Sequence, residues 1–272
     1  MDLPTEILVL IFQKCPLPGL YIASRACRKW RSCSRSRLLR LTAHITRKGI
    51  LPDDRTGRHV LPLKALSAFS GQLSRLIAPW GDMDQHALDG LWRWCGASLQ
   101  DLDLSTSHRI SNLPAMPLLR SLNISRCFGF SPEWIGRIPE LFPNLQRLDL
   151  SGTHTSDKSL AMMAGAPAVY AFLSLSHCLN ITDQGLRVLI KSATFSVAHL
   201  DISFSSVSFE AFCEGEGEQL DPRLCRIVAR GSDWTGRQCT ALGSKGIRVD
   251  ADWKLWDDSE EGVRIWLQAI CS

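Results

Sequence analysis

The sequence predicts an α/β protein in which a small module of three short helices precedes a longer array of strand–helix repeats. Two observations predict this fold class. Leucine accounts for 39 of the 272 residues, and the surplus belongs chiefly to blocks that recur every 20 to 27 residues. The charge is also uneven, since residues 1–50 contain ten cations and two anions, which leaves +8 there and −4 in the remainder. We therefore expect two modules with different surfaces.

The first forty residues predict three helices. Pro4 lies near the first helical turn, and the first helix is expected to end before Pro16. Its apolar side chains are spaced to form one face, at Ile7, Leu8, Ile11 and Phe12. A second helix should follow the break at Pro16 to Gly19, over 20–27, and a third contains Trp30. A unit this small buries little by itself, so some of its apolar surface should face another chain or the next domain.

Residues 2–40 resemble an F-box. The string Leu3-Pro4-x-Glu6-Ile7-Leu8-x-x-Ile11-Phe12, followed by Cys27-Arg28-x-Trp30-Arg31, is similar to the family patterns L-P-x-E-[IL]-L-x-x-I-F and V-C-[RK]-x-W. It departs from them at Ala26, where the family prefers valine, and at Lys14-Cys15, where a leucine usually ends the first helix.

The resemblance implies docking onto the Skp-type adaptor of a cullin-RING ubiquitin ligase. Nine residues match positions that in the family either face the adaptor or form the module's core, two roles that the sequence does not separate. These are Leu3, Pro4, Ile7, Leu8, Ile11, Phe12, Leu20, Cys27 and Trp30. The alternative is a small helical cap that closes the next domain, with all nine residues in the core.

The basic N-terminal module has two interpretations. A basic patch often indicates nucleic acid, but no glycine-rich phosphate loop, zinc finger or aromatic ribonucleoprotein motif accompanies the charge. We therefore expect no nucleic acid partner. An acidic protein is the favoured partner, and the Skp adaptor is acidic in the F-box family, so the +8 would steer the encounter.

The repeats follow the template L-x-x-L-x-L-S. Its central leucines fall at Leu102, Leu122, Leu148, Leu173 and Leu200, with weaker copies around Leu76 and Ile227 and a degenerate copy at 247–249. Period and pattern resemble leucine-rich repeats. The resemblance implies a horseshoe of about six to seven repeats, with parallel strands on the concave side and helices on the convex side.

The residue pattern within one repeat supports the same architecture. Leu102 and Leu104 alternate with Asp103, which is typical of a strand with one buried side. Helical spacing follows the strands, as in the stripes Leu160, Met163, Ala164 and Leu186, Leu189, Ile190. One strand and one helix cannot bury their leucines alone, so successive copies must stack.

The ten cysteines indicate neither disulfides nor a zinc site, because they are scattered without a C-x-x-C pair. Cys127 and Cys178 occupy the ninth position of their repeats, which resembles the cysteine-containing class of leucine-rich repeat common behind F-boxes. A catalytic thiol at Cys178, beside His177, is the alternative. We favour a buried structural role for both cysteines.

Outward positions of the strand blocks form columns that could bind a target. One column is rich in aspartate (103, 149 and 201), which is partly a habit of the repeat and is compatible with a merely solubilising face. The candidates outside that habit are Trp80, Arg126, His177 and Phe204 in one column and Arg147, His199 and Arg226 in another. Together they predict a mixed cationic and aromatic patch for an acidic or phosphorylated segment.

The predicted organisation has four parts. An F-box occupies 1–46, a connector or irregular first repeat 47–71, the repeats 72–252 and a capping helix 253–272. Trp253 and Trp256 are expected to pack beneath that cap, with an aromatic substrate site as the alternative. No apolar run approaches the roughly 20 residues that span a bilayer, and the N-terminus lacks a signal-peptide pattern, so we expect a cytoplasmic or nuclear protein.

These features predict a substrate-recognition subunit of an SCF-type ubiquitin ligase, with cullin and RING subunits reached through the adaptor and a protein substrate on the repeats. We expect no catalytic residue, metal or cofactor in the chain. A non-catalytic leucine-rich-repeat scaffold or inhibitor is the alternative. A thiol or metal hydrolase is disfavoured because no acid, base and nucleophile cluster in the sequence.

Overall fold

The computed structural model of the protein describes residues 4–13, 15, 17–34, 41–46, 49–51, 72–79, 84–213 and 220–251. The chain divides into two compact units. The first comprises Met1–Ser131 with Glu140–Leu145, and the second comprises Pro132–Pro139 with Gln146–Ser272. The expected cap at 253–272 and most of the expected connector lie outside the described residues, and the predicted domain limits stay predictions.

Three helices open the chain, as predicted. They are α1 (Thr5–Gln13), α2 (Leu17–Ala26) and α3 (Arg28–Ser34). The helix α2 begins earlier than expected and includes Pro18 and Gly19, which we had assigned to a break. Proline is tolerated there because the N–H groups of a first helical turn have no intrahelical acceptor. At the start of α3, the backbone N–H of Trp30 donates to Sγ of Cys27 at 3.4 Å.

The first unit contains a five-stranded sheet in the order β2-β1-β3-β4-β5. Its strands are β1 (Leu41–Thr46), β2 (Gly49–Leu51), β3 (Leu73–Ile77), β4 (Asp101–Asp103) and β5 (Ser121–Asn123). The pair β1 and β2 is antiparallel, whereas β1–β3, β3–β4 and β4–β5 are parallel. Neither β1 nor β2 was predicted, because the leucine template begins only at Leu73. The sheet thus starts before the first recognised repeat.

The second unit contains five parallel strands in chain order. They are β6 (Arg147–Asp149), β7 (Ala168–Ser174), β8 (Phe195–Asp201), β9 (Arg226–Ala229) and β10 (Arg248–Ala251). Their register places the central residues of successive copies side by side: Leu148, Leu173, Leu200, Ile227 and Val249. The first four of these are almost fully buried, as the template predicts.

Helices connect the strands. They are α4 (Gln85–Cys95), α5 (Pro132–Gly136), α6 (Ile138–Leu141), α7 (Asp157–Ala164), α8 (Asp183–Ile190) and α9 (Gly236–Gly243). After β8 the connection contains instead a 3₁₀ turn, Phe209–Phe212. Both predicted apolar stripes, on α7 and α8, are buried. The connection between β4 and β5, residues 104–120, consists of turns without a helix. The parallel stacking of the strands, with helical segments in most of the other connections, confirms the predicted leucine-rich-repeat fold class.

The helices of the described segments are short. The longest, α4, has 11 residues, and none of them has the length and apolar character needed to cross a bilayer.

Candidate functional site

The helix α1 carries apolar side chains on two opposite faces. One face is buried and consists of Leu8, Val9 and Phe12. The other face is exposed, with 42% of Ile7, 56% of Leu10 and 44% of Ile11 accessible to solvent. The exposed residues are three and four positions apart, so they form one continuous stripe along the helix. We call Ile7, Leu10 and Ile11 the apolar stripe of α1.

Further exposed apolar side chains lie on the next two helices. Ile22 of α2 is 62% exposed and Trp30 of α3 is 39% exposed, whereas Leu20 is completely buried. The rings of Phe12 and Trp30 meet edge to face, with centroids 5.8 Å apart and planes at 76°. Trp30 therefore anchors α3 to the core and also presents part of its indole to solvent.

Burial separates the two roles that the sequence left open for the predicted adaptor-binding residues. Leu8, Phe12 and Leu20 belong to the core of the helical module. Exposed positions are occupied by Pro4, Ile7, Ile11, Cys27 and Trp30, and Leu3 lies outside the described residues.

The resemblance did not single out Leu10 and Ile22. Both are more exposed than Ile7, Ile11 and Trp30, which it did single out. Leu10 could have been found by extending the i, i+3, i+4 spacing from Ile7. No pattern in the sequence indicates Ile22.

The described helical module is basic. Arg25, Arg28 and Arg31 are exposed on α2 and α3, and Glu6 is the one acidic residue in the sequence between 4 and 34. Arg31 donates from Nε to the carbonyl of Ser24 at 3.1 Å, which fixes the start of its side chain to α2. The apolar stripe of α1 therefore belongs to a module with a strong excess of positive charge.

A row of cationic and aromatic side chains crosses the strands of the second unit. The register aligns Arg147 with Phe172, Phe172 with His199, His199 with Arg226, and Arg226 with Arg248. The guanidinium of Arg147 lies 5.3 Å from the centre of the Phe172 ring, a cation–π contact. We call these five residues the cationic row.

Arg147, His199 and Arg226 were predicted to share a column, and the structure places them in register on β6, β8 and β9. Phe172 and Arg248 were missed. The copy around Leu173 has Tyr170 where the template has its first leucine, so that column was not extended through it. Tyr170 is nevertheless buried, and burial raises its pKa, because the hydroxyl side chain takes the place of a core leucine.

One end of the cationic row is tied to a carboxylate. Arg226 donates from Nε to Oδ2 of Asp250 at 2.6 Å, and Arg248 donates from Nε to Oδ1 at 3.3 Å. Burial alone would raise the pKa of Asp250, but the hydrogen bond and charge of Arg226, with those of Arg248, lower it below its ordinary value. Two guanidinium groups around one carboxylate leave this end with a net positive charge.

The neighbouring column of aspartates has a local structural role. In the second unit, Oδ1 of Asp149 accepts the backbone N–H of Ser151 at 2.9 Å, and Oδ1 of Asp201 accepts that of Ser203 at 2.9 Å. In the first unit, Asp103 accepts from Ser105 at 3.0 Å. These carboxylates terminate their strands by capping the turn that follows, which explains why the template favours aspartate.

The turns after the six strands β4 to β9 each contain a residue with a left-handed backbone. These residues are Thr106 and Arg126 in the first unit and Gly152, His177, Phe204 and Gly231 in the second, with φ between 55° and 67°. The column is the one from which Arg126, His177 and Phe204 were chosen as candidates. Left-handed backbone costs a non-glycine residue about 1 kcal/mol, so the stacked turns impose it on side chains that do not favour it.

His177 and Phe204 form a stack in the second unit. Their ring centres are 4.7 Å apart and their planes differ by 11°. A β-carbon on Gly231 would lie 2.4 Å from Cδ1 of Phe204, so the Phe204 ring lies between His177 and the backbone of Gly231. We call His177 and Phe204 the aromatic stack.

Not all predicted substrate-binding residues come together. Arg147, His199 and Arg226 share the cationic row, and His177 and Phe204 form the aromatic stack. Arg126 belongs to the first unit, and Trp80 lies outside the described residues. The first unit has its own stacked pair, His108 and Phe128, with ring centres 5.0 Å apart. Neither residue was predicted, because both lie two positions beyond the left-handed column.

Both repeat cysteines are buried, as predicted. Sγ of Cys127 donates to the carbonyl of Leu104 at 3.0 Å, and Sγ of Cys178 donates to that of Leu150 at 3.2 Å, each in the preceding repeat. Burial raises the pKa of Cys127 to about 11 and also raises that of Cys178. His177 is exposed and Cys178 is buried, although the two residues are adjacent in the turn after β7.

Within the described segments, no group of three or more histidine, cysteine, aspartate or glutamate side chains could hold a metal ion. The first unit presents the apolar stripe of α1, and the second unit presents the cationic row and the aromatic stack. All three are suited to binding another protein.

Known proteins resemble the chain in sequence at its N-terminal end and in fold over most of its length. The F-box-like family model matches residues 1–43. A chain of the crystal structure of the Rad7 and Elc1 complex in yeast has a similar fold, with a TM-score of 0.52 and 17% sequence identity. The likeness covers 73% of this chain and 62% of the yeast chain. At this identity it shows the fold alone.

Proposed function

We propose that this chain, which joins an F-box-like domain to leucine-rich repeats, is the substrate-recognition subunit of an SCF-type E3 ubiquitin ligase. The F-box-like domain binds a Skp-type adaptor and, through it, cullin and RING subunits, while the repeats bind the protein to be ubiquitinated. The chain supplies no catalytic group in this role. It raises the effective concentration of target lysines near the ubiquitin-loaded conjugating enzyme, a role that belongs to the cytoplasm or nucleus.

The apolar stripe of α1 is the observation that carries this proposal. Ile7, Leu10 and Ile11 keep about half of their surface in water although the opposite face of the same helix is buried. Covering the exposed half of each side chain would contribute about 1 kcal/mol. A stripe of this kind on an F-box-like helix is best explained by a protein partner that covers it.

Charge supports an acidic partner. The described helical module has exposed arginines on α2 and α3, and these would accelerate association with an acidic adaptor without contributing much to final affinity. The similar yeast chain also comes from a two-protein complex. Elc1, the second protein in that complex, is therefore a reasonable second candidate beside a Skp-type adaptor.

Co-expression with a candidate adaptor tests the proposal. The affinity-tagged full chain should capture a Skp-type adaptor, or Elc1 in a parallel experiment, in stoichiometric amount. The double variant Leu10→Glu with Ile11→Glu should lose capture, because it places two carboxylates within the covered surface. Since both side chains are exposed, the variant should keep its circular dichroism spectrum.

Val188→Glu provides the matched control. Val188 is an exposed apolar residue of α8, outside the F-box-like domain, and its substitution should leave capture unchanged. Failure of the unmodified chain to capture either adaptor, or unaltered capture by the double variant, would contradict the proposal. Either result would favour the alternative of a repeat scaffold or inhibitor whose helices serve only as a cap.

A further inference from the structure

We infer that the cationic row of the second unit binds an extended acidic segment of the substrate, with two carboxylates four residues apart and an apolar or aromatic residue midway between them. The inference rests on the proposed function, in which the repeats hold the target. It adds the chemical class of the target and the spacing of its recognised side chains.

The spacing follows from the geometry of the sheet. Neighbouring strands are about 4.8 Å apart, so Arg147 and Arg226, separated by three strand steps, lie about 14 Å apart along the row. An extended segment lying across the strands places residues i and i+4 about 13 Å apart on one face. Residue i+2 then falls between Phe172 and His199, where the ring of Phe172 offers an apolar surface.

The charges favour an anionic segment at both ends of this span. Arg147 is exposed, and in the described part of the chain its guanidinium contacts the Phe172 ring and no carboxylate. At the other end, Arg226 and Arg248 surround Asp250 and leave a net charge of about +1. The remaining aspartates of the face, Asp149 and Asp201, lie two residues farther along their strands and cap turns.

This separation of charges sets the track of the segment. Carboxylates of a ligand are attracted along the cationic row and repelled from the aspartate column beside it. The segment should therefore run along the row and not drift toward the turns. The cation–π contact also holds the Arg147 guanidinium in place before binding, which reduces the conformational entropy that the complex must lose.

Single carboxylates suit the row better than phosphate groups. A phosphoryl group carries nearly two negative charges and is usually held by several converging arginines. Here Phe172 and His199 separate Arg147 from Arg226, and Arg226 is already shared with Asp250. Arg147 thus supplies one positive charge at one end of the span, and Arg226, Arg248 and Asp250 together leave one at the other end. This matches one carboxylate at each end.

Fluorescence anisotropy with synthetic peptides tests the inference on the full chain. The probe is a fluorescein-labelled nonapeptide of serines with glutamates at positions 3 and 7 and phenylalanine at position 5. Three further peptides replace both glutamates by lysine, replace both by phosphoserine, or move the glutamates to two residues apart. The glutamate probe should bind at least about tenfold more tightly than each of the three, and raising the salt concentration should weaken it.

Substitutions at Arg147 connect the binding to the row. Arg147→Glu should weaken the glutamate probe about tenfold and improve binding of the lysine peptide, whereas Arg147→Lys should keep most of the affinity. Arg223→Glu is the matched control, because Arg223 is an exposed arginine of the same unit that precedes β9 and lies outside the row. It should leave the affinity nearly unchanged.

Four outcomes would overturn the inference: equal binding of the glutamate and lysine peptides, equal binding of the peptide with glutamates two residues apart, unchanged affinity in Arg147→Glu, or preference for the phosphoserine peptide. The peptide assay contains no adaptor, and the adaptor capture contains no peptide. A chain that captures the adaptor but does not discriminate the peptides contradicts only this inference. A chain that captures no adaptor contradicts the proposed function, whatever the peptides do.

Discussion

The carboxylate of Asp157 lies directly against Gly185 of the following repeat. A β-carbon at position 185 would be 2.0 Å from Oδ1 and 2.8 Å from Cα of Asp157. The same carboxylate accepts the backbone N–H of Thr182 at 2.8 Å and its hydroxyl at 2.7 Å. One repeat later, Asp183 accepts the same pair of donors from Ser208, at 2.7 and 2.5 Å. The first residues of α7 and α8 therefore each fix the start of the helical segment that follows.

Gly185→Ala should destabilise the protein by about 1–3 kcal/mol, because the added methyl group has to displace either Asp157 or α8 in a closely packed contact. Unfolding in urea measures this as a lower midpoint with an unchanged slope. Gly243→Ala is the control, since a β-carbon at that position of α9 meets no atom within 4 Å and alanine favours a helix. It should be neutral or slightly stabilising, and equal effects of the two substitutions would contradict the packing argument.

Gly231→Ala should displace Phe204 and break the aromatic stack. The substitution combines a left-handed backbone, with φ of 67°, and a methyl group 2.4 Å from the Phe204 ring. Gly246→Ala separates the two effects, because Gly246 is also left-handed, with φ of 81°, but has open space around its β-position. We expect a loss of about 1 kcal/mol at 246 from the backbone alone and a larger loss at 231.

Proton NMR of His177 gives the structural readout for this pair. In the unmodified chain, the Phe204 ring should shift the imidazole proton resonances upfield, since it stacks on them at 4.7 Å. The shift should disappear in Gly231→Ala and remain in Gly246→Ala. If His177 keeps its upfield shift in Gly231→Ala, Gly231 does not determine the position of the Phe204 ring.

The sequence predicts those parts of the fold in which the residue pattern decides whether a side chain is buried or exposed. Leu102, Leu148 and Leu200 belong to copies that recur every 20 to 27 residues and alternate with polar residues, so their burial follows from the strand period. The strands β1 and β2 lack this template and were not predicted. The 3₁₀ turn at Phe209–Phe212 likewise replaces a helix that the period alone would suggest.

The candidate sites were less predictable, for two physical reasons. On α1, all six residues from 7 to 12 are apolar, so hydrophobic periodicity cannot assign Ile7 outward and Leu8 inward. In the turns, Gly152 and Gly231 suggest a left-handed backbone, but nothing in the residue types of Arg126, His177 or Phe204 does. Their conformation is imposed by the stacked neighbours.

The stability of the protein should fall as the pH rises from about 9 to about 11, in part through Cys127. Its pKa rises from an ordinary value of 9.0 to about 11 on folding, because burial disfavours the thiolate. The unfolded chain then loses the proton first, so it binds fewer protons than the folded chain in this range and gains stability relative to it. The stabilising contribution is complete below pH 9 and lost as the pH rises through the folded pKa.

Cys127→Ser tests this contribution. Urea unfolding at pH 8 and pH 10.5 should show a smaller loss of stability for the variant than for the unmodified chain, since serine does not ionise in this range. Thiol labelling at pH 8 supplies a second measurement: the exposed Cys27 and Cys225 should react in the folded protein, whereas Cys127 and Cys178 should react only after unfolding. Rapid labelling of Cys127 in the folded protein would contradict its burial.

Leu8→Ala and Leu10→Ala should separate the core of the helical module from its binding surface. Leu8 is 2% exposed and Leu10 is 56% exposed, although they are two residues apart on α1. Leu8→Ala should cost about 2–4 kcal/mol, because it removes a buried side chain and leaves a cavity. Leu10→Ala should change the free energy of unfolding by less than about 0.5 kcal/mol and yet weaken capture of the adaptor several-fold.

The two effects are distinguished by measuring how much adaptor each variant captures as the adaptor concentration is raised, and by measuring unfolding on the same preparations. If Leu8→Ala unfolds the module, lowering the temperature should restore part of the capture, whereas the defect of Leu10→Ala should persist at every temperature at which the chain is folded. A Leu10→Ala chain that is as stable as the unmodified one and captures the adaptor equally well would show that Leu10 lies outside the contact, and the adaptor surface would then have to be centred on Ile22 and Trp30.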